Sequence, residues 1–466
     1  MDTGTRPVRK VTSCRTESSR SNAEPETTIE LDGMEYSLID IRATGDILLD
    51  LTFENTKSLS RLVPASLGSL RSASLSKNTK SSNSRVLYRV RLDTLRRSSK
   101  YFQLLLGSGS FSEGSKITAT LTSLEARHIL PSKAEPHELP RISITDDDDA
   151  TKVAGREAVF ADLLRILHGA DVATRLTTPY LMILAIMADR FDCTQTIGRY
   201  VKRSKYPWPQ TYGSISVTTE ETLRQKILIS WLLDDQSRLA SATKELILRG
   251  SLRWGAEGQI CKDQQTAWWD LQDGLEAELQ YRRARVLSCI HSLQKHFLAL
   301  YTSRDRQCKQ FYDSSVACDS YQLGEMIKFF TNKGLLCLTS PLFADYDDYP
   351  DSYHGDIESL VTILRQCPSY QIDQNHARCG LRARIIPALD YIQIMLTSNI
   401  GIDRRGWKDD RPGTTWRNRV RLEGETFEFR RSIASDRRLK LDGYLLSNKH
   451  AHTLFTATAW DWTPED

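Results

Sequence analysis

Cys289, His291, His296, Cys308 and Cys318 fall in one stretch of this 466-residue chain and are of the types that bind zinc through thiolate sulfur and imidazole nitrogen. Zinc fingers pair their ligands at short fixed intervals, and these residues follow none of the finger spacings. Helical positions two apart point about 200° from each other, so Cys289 and His291 could not share an ion from one helix. The stretch therefore predicts packed thiols and surface histidines, with no metal and no other cofactor expected.

Consecutive carboxylates from Asp146 to Asp149 are the ligand type of calcium and magnesium. No glycine or later glutamate completes a calcium loop, so a solvated turn is the expected reading. RRGWKDDRPGTTWRNRVR at 404–421 combines arginines with Trp407 and Trp416, a mix that contacts phosphates and stacks bases. It supports the alternative function, a nuclear regulator bound to nucleic acid, although basic loops are more often simply solvated. The Gly-Ser run at 107–110 lacks the strand before it and the helix directly after it that phosphate cradling needs. No Walker loop, Gly-x-Ser-x-Gly elbow, His-Glu-x-x-His or dinucleotide glycine fingerprint occurs, and no enzyme is expected.

Lys and Arg total 63 against 59 Asp and Glu, a net charge of +4 that is too small for polyanions to steer the whole chain. Local charge is less even, with eleven basic residues against Asp93 alone between Lys57 and Lys100. The nine cysteines are odd in number and lack framework spacing, and the first residues have no apolar core of a signal peptide. Reduced thiols in the cytoplasm or nucleus are the expectation. No apolar run is long enough to cross a membrane.

These residues must be positioned by elements that the pattern outlines. Residues 1–35 are polar and aperiodic and predict a disordered arm. DILLDLTF from Asp46 reads as a strand buried on both faces, and VLYRV at 86–90 as a second strand. A serine-rich insertion near 56–84 separates them. Leu92, Leu95, Ser99, Phe102 and Leu106 share one helical face, which Gly107 should end as a left-handed cap. A polar insertion near 116–138 leads to the strand LPRISIT. Helices follow at 155–168, from an N-cap Thr178 with Pro179 behind it, and after a capping Asp192. YPWPQ at 206–210 breaks the helical pattern. Beyond it the reading is helical at 220–234, 237–249, 270–302, 320–333, 355–366 and 380–397, with Pro387 kinking or starting the last. The expected layout is an α+β domain over 40–209, a mainly α-helical domain over 215–400 and a loop-rich tail over 401–466.

GDILLDLTF at 45–53, VLYRVRLDTLRRSSKYFQLLLGSGSFSEG at 86–114, ISITDDD at 142–148 and VFADLLRILHGADVATRLTTPYLMILAIMADRFDC at 159–193 come in an order that resembles the BTB/POZ fold. Asp-Arg-Phe-Asp-Cys at 189–193 looks like that family's helix junction. The helical remainder resembles the companion region of filamentous-fungal BTB proteins. The resemblance implies a protein-interaction module that self-associates or docks a cullin scaffold as a ubiquitin-ligase adaptor. The contact residues it implies are Phe111, Ser112 and Glu113, with Pro179 at the loop before the second of the closing helices. Phe111 either meets a partner or tucks back under its own helix.

Overall fold

The computed structural model describes residues 27–31, 33–54, 84–107, 111–147, 149–151, 153, 155–172, 175–210, 215–254, 266–335, 353–377, 379–398, 400–418, 426–430 and 445–463. Residues 1–26 of the expected arm, and the serine-rich insertion up to residue 83, lie outside them. The architecture is α+β, a mixed five-stranded sheet followed mostly by helices.

The sheet contains β1 (Thr27–Leu31), β2 (Met34–Asp40), β3 (Ile47–Phe53), β4 (Ser84–Val90) and β5 (Arg141–Asp146), in the order β1-β2-β4-β3-β5. β3 and β4 are antiparallel, with Leu49 opposite Tyr88, and β5 lies parallel to β3, with Ile144 opposite Leu51. β1 and β2 form a hairpin that joins β4 in parallel. Part of the stretch expected to be a disordered arm is thus sheet. Thr27–Leu31 alternates half-buried and exposed side chains, a short period-2 pattern that the polar composition around it obscures.

β3 is buried on both faces, as its apolar run implies. Ile47, Leu49, Leu51 and Phe53 face a core built with Phe102, Phe160 and the helices α4 (Arg156–Leu167), α5 (Thr178–Arg190) and α6 (Thr194–Arg203). Leu48 and Leu87 face the other way, against Leu124, Ala134 and Leu139. Leu124 and Ala134 belong to the segment read as a polar insertion near 116–138. It is the helix α3 (Ser112–Ala126) with two 3₁₀ turns, and it covers the second face of the sheet. Ile117, Leu121 and Leu124 stand at helical spacing and supply its apolar stripe.

α1 (Leu92–Ser98) and α2 (Lys100–Leu105) replace the single helix expected there. Ser99 divides them: its hydroxyl accepts from the Phe102 N–H at 3.0 Å and donates to the Phe191 carbonyl at 2.6 Å. Gly107 does not have positive φ. Its requirement is space, because a Cβ there would lie 2.7 Å from the Gln103 carbonyl oxygen. The cap of α5 is Thr177, one residue before the expected Thr178, and Cys193 rather than Asp192 precedes α6. Asp146 is buried against Arg156 at 3.1 Å and Arg190, and Asp147 pairs with Arg190 at 2.8 Å. Asp146 and Asp147 are therefore an ion cluster joining β5 to α4 and α5, while Asp149 lies in an exposed turn as expected.

YPWPQ does not separate two cores. α7 (Val217–Leu232) packs on α5, and Leu228, Ile229 and Leu233 share the first core with Trp268 and Trp269. The second core gathers α8 (Gln236–Arg249), α9 (Leu275–Thr302), α10 (Ser315–Asn332), α11 (Ile357–Arg365) and α12 (Leu381–Thr397), with Pro387 inside α12. The described parts of the expected loop-rich tail also belong to it. α13 (Arg404–Asp409), α14 (Arg411–Thr414), the β6–β7 pair (Thr426–Glu428 and Ala459–Asp461) and α15 (Leu445–Thr456) bring Trp407, Trp416, Phe427, Phe455 and Trp462 into that core.

Glu278 and Arg282, an i,i+4 pair of α9, are buried and meet at 2.7 Å. Arg282 also donates to the carbonyls of Ile400, Gly401 and Thr414. Arg283 donates to those of Ile247, Leu248, Tyr353 and Gly355, and Arg285 to those of Phe455 and Ala457.

Phe102 is fully buried and stacks on Phe191 at 5.6 Å. Phe102→Ala should cost about 3–5 kcal/mol, read as a lower urea midpoint. On the sheet, burial opposes ionisation of Asp50, but hydrogen bonds from Arg85 (2.8 and 2.5 Å) and Arg141 (2.7 Å) outweigh it and hold the carboxyl below its ordinary value. The folded carboxyl thus ionises at lower pH than the unfolded one. Its stabilisation is complete above about pH 5, beyond the unfolded value, and is lost as pH falls through the folded value. Asp50→Asn should be less stable than wild type at neutral pH, and the gap should narrow between about pH 5 and pH 3. A gap that stays constant over that range would show that the charge of Asp50 contributes nothing.

Candidate functional site

Cys308, Cys318, His376 and Cys379 converge on one point, with their ligand atoms all within 4.8 Å of one another. All are buried, Cys379 being the most accessible at 8 % exposure. Cys308 Sγ lies 3.3 Å from His376 Nδ1 and 3.7 Å from Cys379 Sγ, and Cys379 Sγ lies 3.9 Å from the same nitrogen. The thiols are free, since a disulfide would need about 2.05 Å between sulfurs.

Each ligand is placed by a different element and fixed by its neighbours. Cys308 sits in the loop after α9, where the Asp319 carboxylate accepts the N–H groups of Gln307 and Cys308 at 2.9 Å each. Arg384 of α12 holds the same loop through the Gln307 side chain and carbonyl, at 3.0 and 2.9 Å. Cys318 lies in the first turn of α10, and Cys379 stands two residues before the start of α12. Both helices thereby turn positive ends toward sulfur. The Asp373 carboxylate accepts the His376 N–H at 3.2 Å, and the Tyr301 hydroxyl donates to the Cys379 carbonyl at 2.8 Å. Ser314 Oγ meets His376 Nε2 at 2.8 Å, which leaves Nδ1 facing the sulfurs. Gly380 is required by close approach: a Cβ would stand 2.7 Å from the Tyr370 carbonyl oxygen and 3.1 Å from Gln322 Oε1.

The electrostatics favour one thiolate and resist more. Burial opposes ionisation of Cys308, but the Ser315 hydroxyl, the Gln310 N–H, Cys379 and His376 outweigh it and bring the thiol down to about 7. Burial, reinforced by the two neighbouring cysteines, pushes Cys318 up to about 12. Cys379 is pushed up to about 11 by burial first and by Cys308 next. Crowded sulfurs of this kind are relieved by a cation.

Of the five residues singled out for zinc by type, the cluster contains Cys308 and Cys318. Cys289 is packed inside α9 with burial pushing its thiol up, and His291 and His296 are half-buried on the same helix. His376 and Cys379 stand about sixty residues further along the chain than Cys318, outside the cysteine–histidine stretch. Their His-x-x-Cys spacing was the available signal, half of a zinc ligand set.

The docking residues lie elsewhere. Phe111 is the extended N-cap residue of α3 and is 50 % exposed, so it does not tuck back under its helix. Leu104 on α2 is exposed as well, at 54 %. Ser112 and Glu113 open α3, and Ser112 Oγ donates to the Glu113 carboxylate at 3.1 Å. Burial first, then the charge of Glu113, raises the Tyr101 phenol, which places that carboxylate within reach of α2. Pro179 is half-buried in the first turn of α5. A helix does follow the Gly-Ser run, but α2 rather than a strand precedes it.

The basic C-terminal segment is built differently from a base-stacking surface. Trp407 and Trp416 are buried, at 3 % and 4 % exposure. Arg411 lies over Trp407 and pairs with Asp273, and Arg404 lies over Trp231 and pairs with Asp234. No helix among the described residues is long and apolar enough to cross a membrane.

Compared with family models, curated proteins and solved structures, the chain matches none.

Gly380→Ala should force the Tyr370 carbonyl or the start of α12 to move, at a cost of about 1–3 kcal/mol. The check is a urea titration in which the midpoint falls while the slope is unchanged.

Proposed function

We propose that the chain is a non-enzymatic protein-docking module of the BTB/POZ type. Its partner is a protein, either a cullin scaffold, for which it would act as a substrate adaptor, or a second copy of itself. The observation that carries this reading is the half-exposed Phe111, held at the start of α3, with Leu104 of α2 exposed as well. The order of elements supports it too: an antiparallel β3–β4 pair, two short helices, a strand returning parallel to β3, and then α4, α5 and α6.

The physics of such docking is preorganisation. Phe111 is set by the N-terminus of α3 and Leu104 by α2, whose own buried side chain, Phe102, is locked in the core. Little backbone freedom remains to be lost on binding. Covering the exposed half of a phenylalanine, roughly 100 Å², would contribute about 2 kcal/mol.

The test uses the full chain. Calorimetric titration with a cullin N-terminal domain, and light scattering of the chain alone, should show binding or self-association at concentrations of roughly tens of micromolar. Phe111→Ala should weaken whichever association is seen by about tenfold or more. It should leave the thermal midpoint near that of wild type, because the residue is exposed. A wild-type chain that neither binds the cullin domain nor self-associates would sink the reading.

A further inference from the structure

We propose that Cys308, Cys318, His376 and Cys379 bind one zinc ion as a closed, structural site. The geometry is that of a tetrahedral shell. With Zn–S near 2.3 Å and Zn–N near 2.0 Å, the edges of such a shell are about 3.8 Å between sulfurs and about 3.5 Å from sulfur to nitrogen. The separations here are 3.7 Å between the sulfurs of Cys308 and Cys379, and 3.3 and 3.9 Å from those sulfurs to His376 Nδ1. Cys318 Sγ completes the set within 4.8 Å of the others.

The ligand chemistry selects the metal class. Three thiols and one imidazole suit a borderline-soft ion without geometric demands of its own, whereas calcium and magnesium take oxygen. Cys3His is one of the standard structural zinc sets. The ligands are buried and leave no position open for substrate, which assigns the ion a structural role. On binding, the three thiols release their protons, so the bound site carries a net charge of about −1. The N-termini of α10 and α12, with Arg384 nearby, face that surplus.

An outer shell is in place as well. The Ser314 hydroxyl at 2.8 Å from His376 Nε2 fixes the tautomer that offers Nδ1 inward. Asp319 and Asp373 hold the backbones of Cys308 and His376. The ion would join the loop after α9, the first turn of α10 and the approach to α12, adding to the hydrogen bonds of Asp319, Arg384 and Tyr301 that already link them. This inference is independent of the docking reading, because its residues lie on other elements.

The experiment is metal analysis of the purified full-length chain by plasma mass spectrometry. The expected content is about one zinc per chain. Cys318→Ser and Cys379→Ser should lose most of it, while Cys367→Ala, a buried thiol outside the cluster, should keep it. Those ligand variants could fail to fold, so a second measurement uses wild-type protein grown with cobalt. Its spectrum should show tetrahedral ligand-field bands with thiolate charge transfer. Ser314→Ala should fold and bind zinc about 10- to 100-fold more weakly, read by competition with a chromophoric chelator. Protein without zinc and without the cobalt spectrum would overturn the proposal. So would stoichiometric iron in place of zinc, or a Cys308–Cys379 disulfide in the intact mass.

Discussion

Three buried arginines on one helix set the geometry of the C-terminal half. Removing a guanidinium from water costs several kcal/mol unless its donors are satisfied. Arg282, Arg283 and Arg285 are satisfied mainly by backbone carbonyls, drawn from the ends of α8 and α15 and from the turns at 353–355, 400–401 and 414. Carbonyls at helix ends and turns lack partners in their own element. Each arginine therefore meets two needs together, its own and that of the segment it holds. The planar five-donor fork of arginine makes this possible where the ammonium of lysine would not.

The rest of α9 has no arginine beyond Arg285, and its far end is secured in another way. Tyr301 reaches the Cys379 carbonyl, and the loop that follows carries Cys308 into the thiol cluster. One end of the helix is thus tied by guanidinium–carbonyl bonds and the other by a hydroxyl and a set of metal-ligand side chains. On this reading the proposed zinc ion completes, for α10 and α12, what the arginines do for α8 and α15.

The sheet half solves its polar problem with carboxylates instead. Asp50 and Asp146 sit among apolar side chains and are each held between two arginines. The Asp50 cluster ties three strands together and the Asp146 cluster ties strand to helix, while the apolar faces supply most of the burial energy. They leave Phe111 and Leu104 outside, on short elements whose positions the core determines. Rigid support for exposed apolar side chains is what a docking surface requires.

Local pattern carried much of the information. The apolar run of β3, the paired strand β4, and the helices α4 and α7 to α12 are legible because periodicity and capping act within a few residues. Within one helix, phase also separated Cys289 from His291 correctly. The misses have the opposite character. A stripe as sparse as Ile117, Leu121 and Leu124 identifies a helix only when a sheet face needs covering, and Trp407, Trp416, Phe427, Phe455 and Trp462 of the tail are buried in a core that other segments build. The pair Glu278 and Arg282 has the same spacing whether exposed or buried, and only the packing around α9 decides. Sequence by itself thus determined residue types, helix phases and strand alternation. Tertiary structure alone decided that Cys308 and Cys318 would meet His376 and Cys379, because ligands nearly sixty residues apart share a point only through the path of the chain between them.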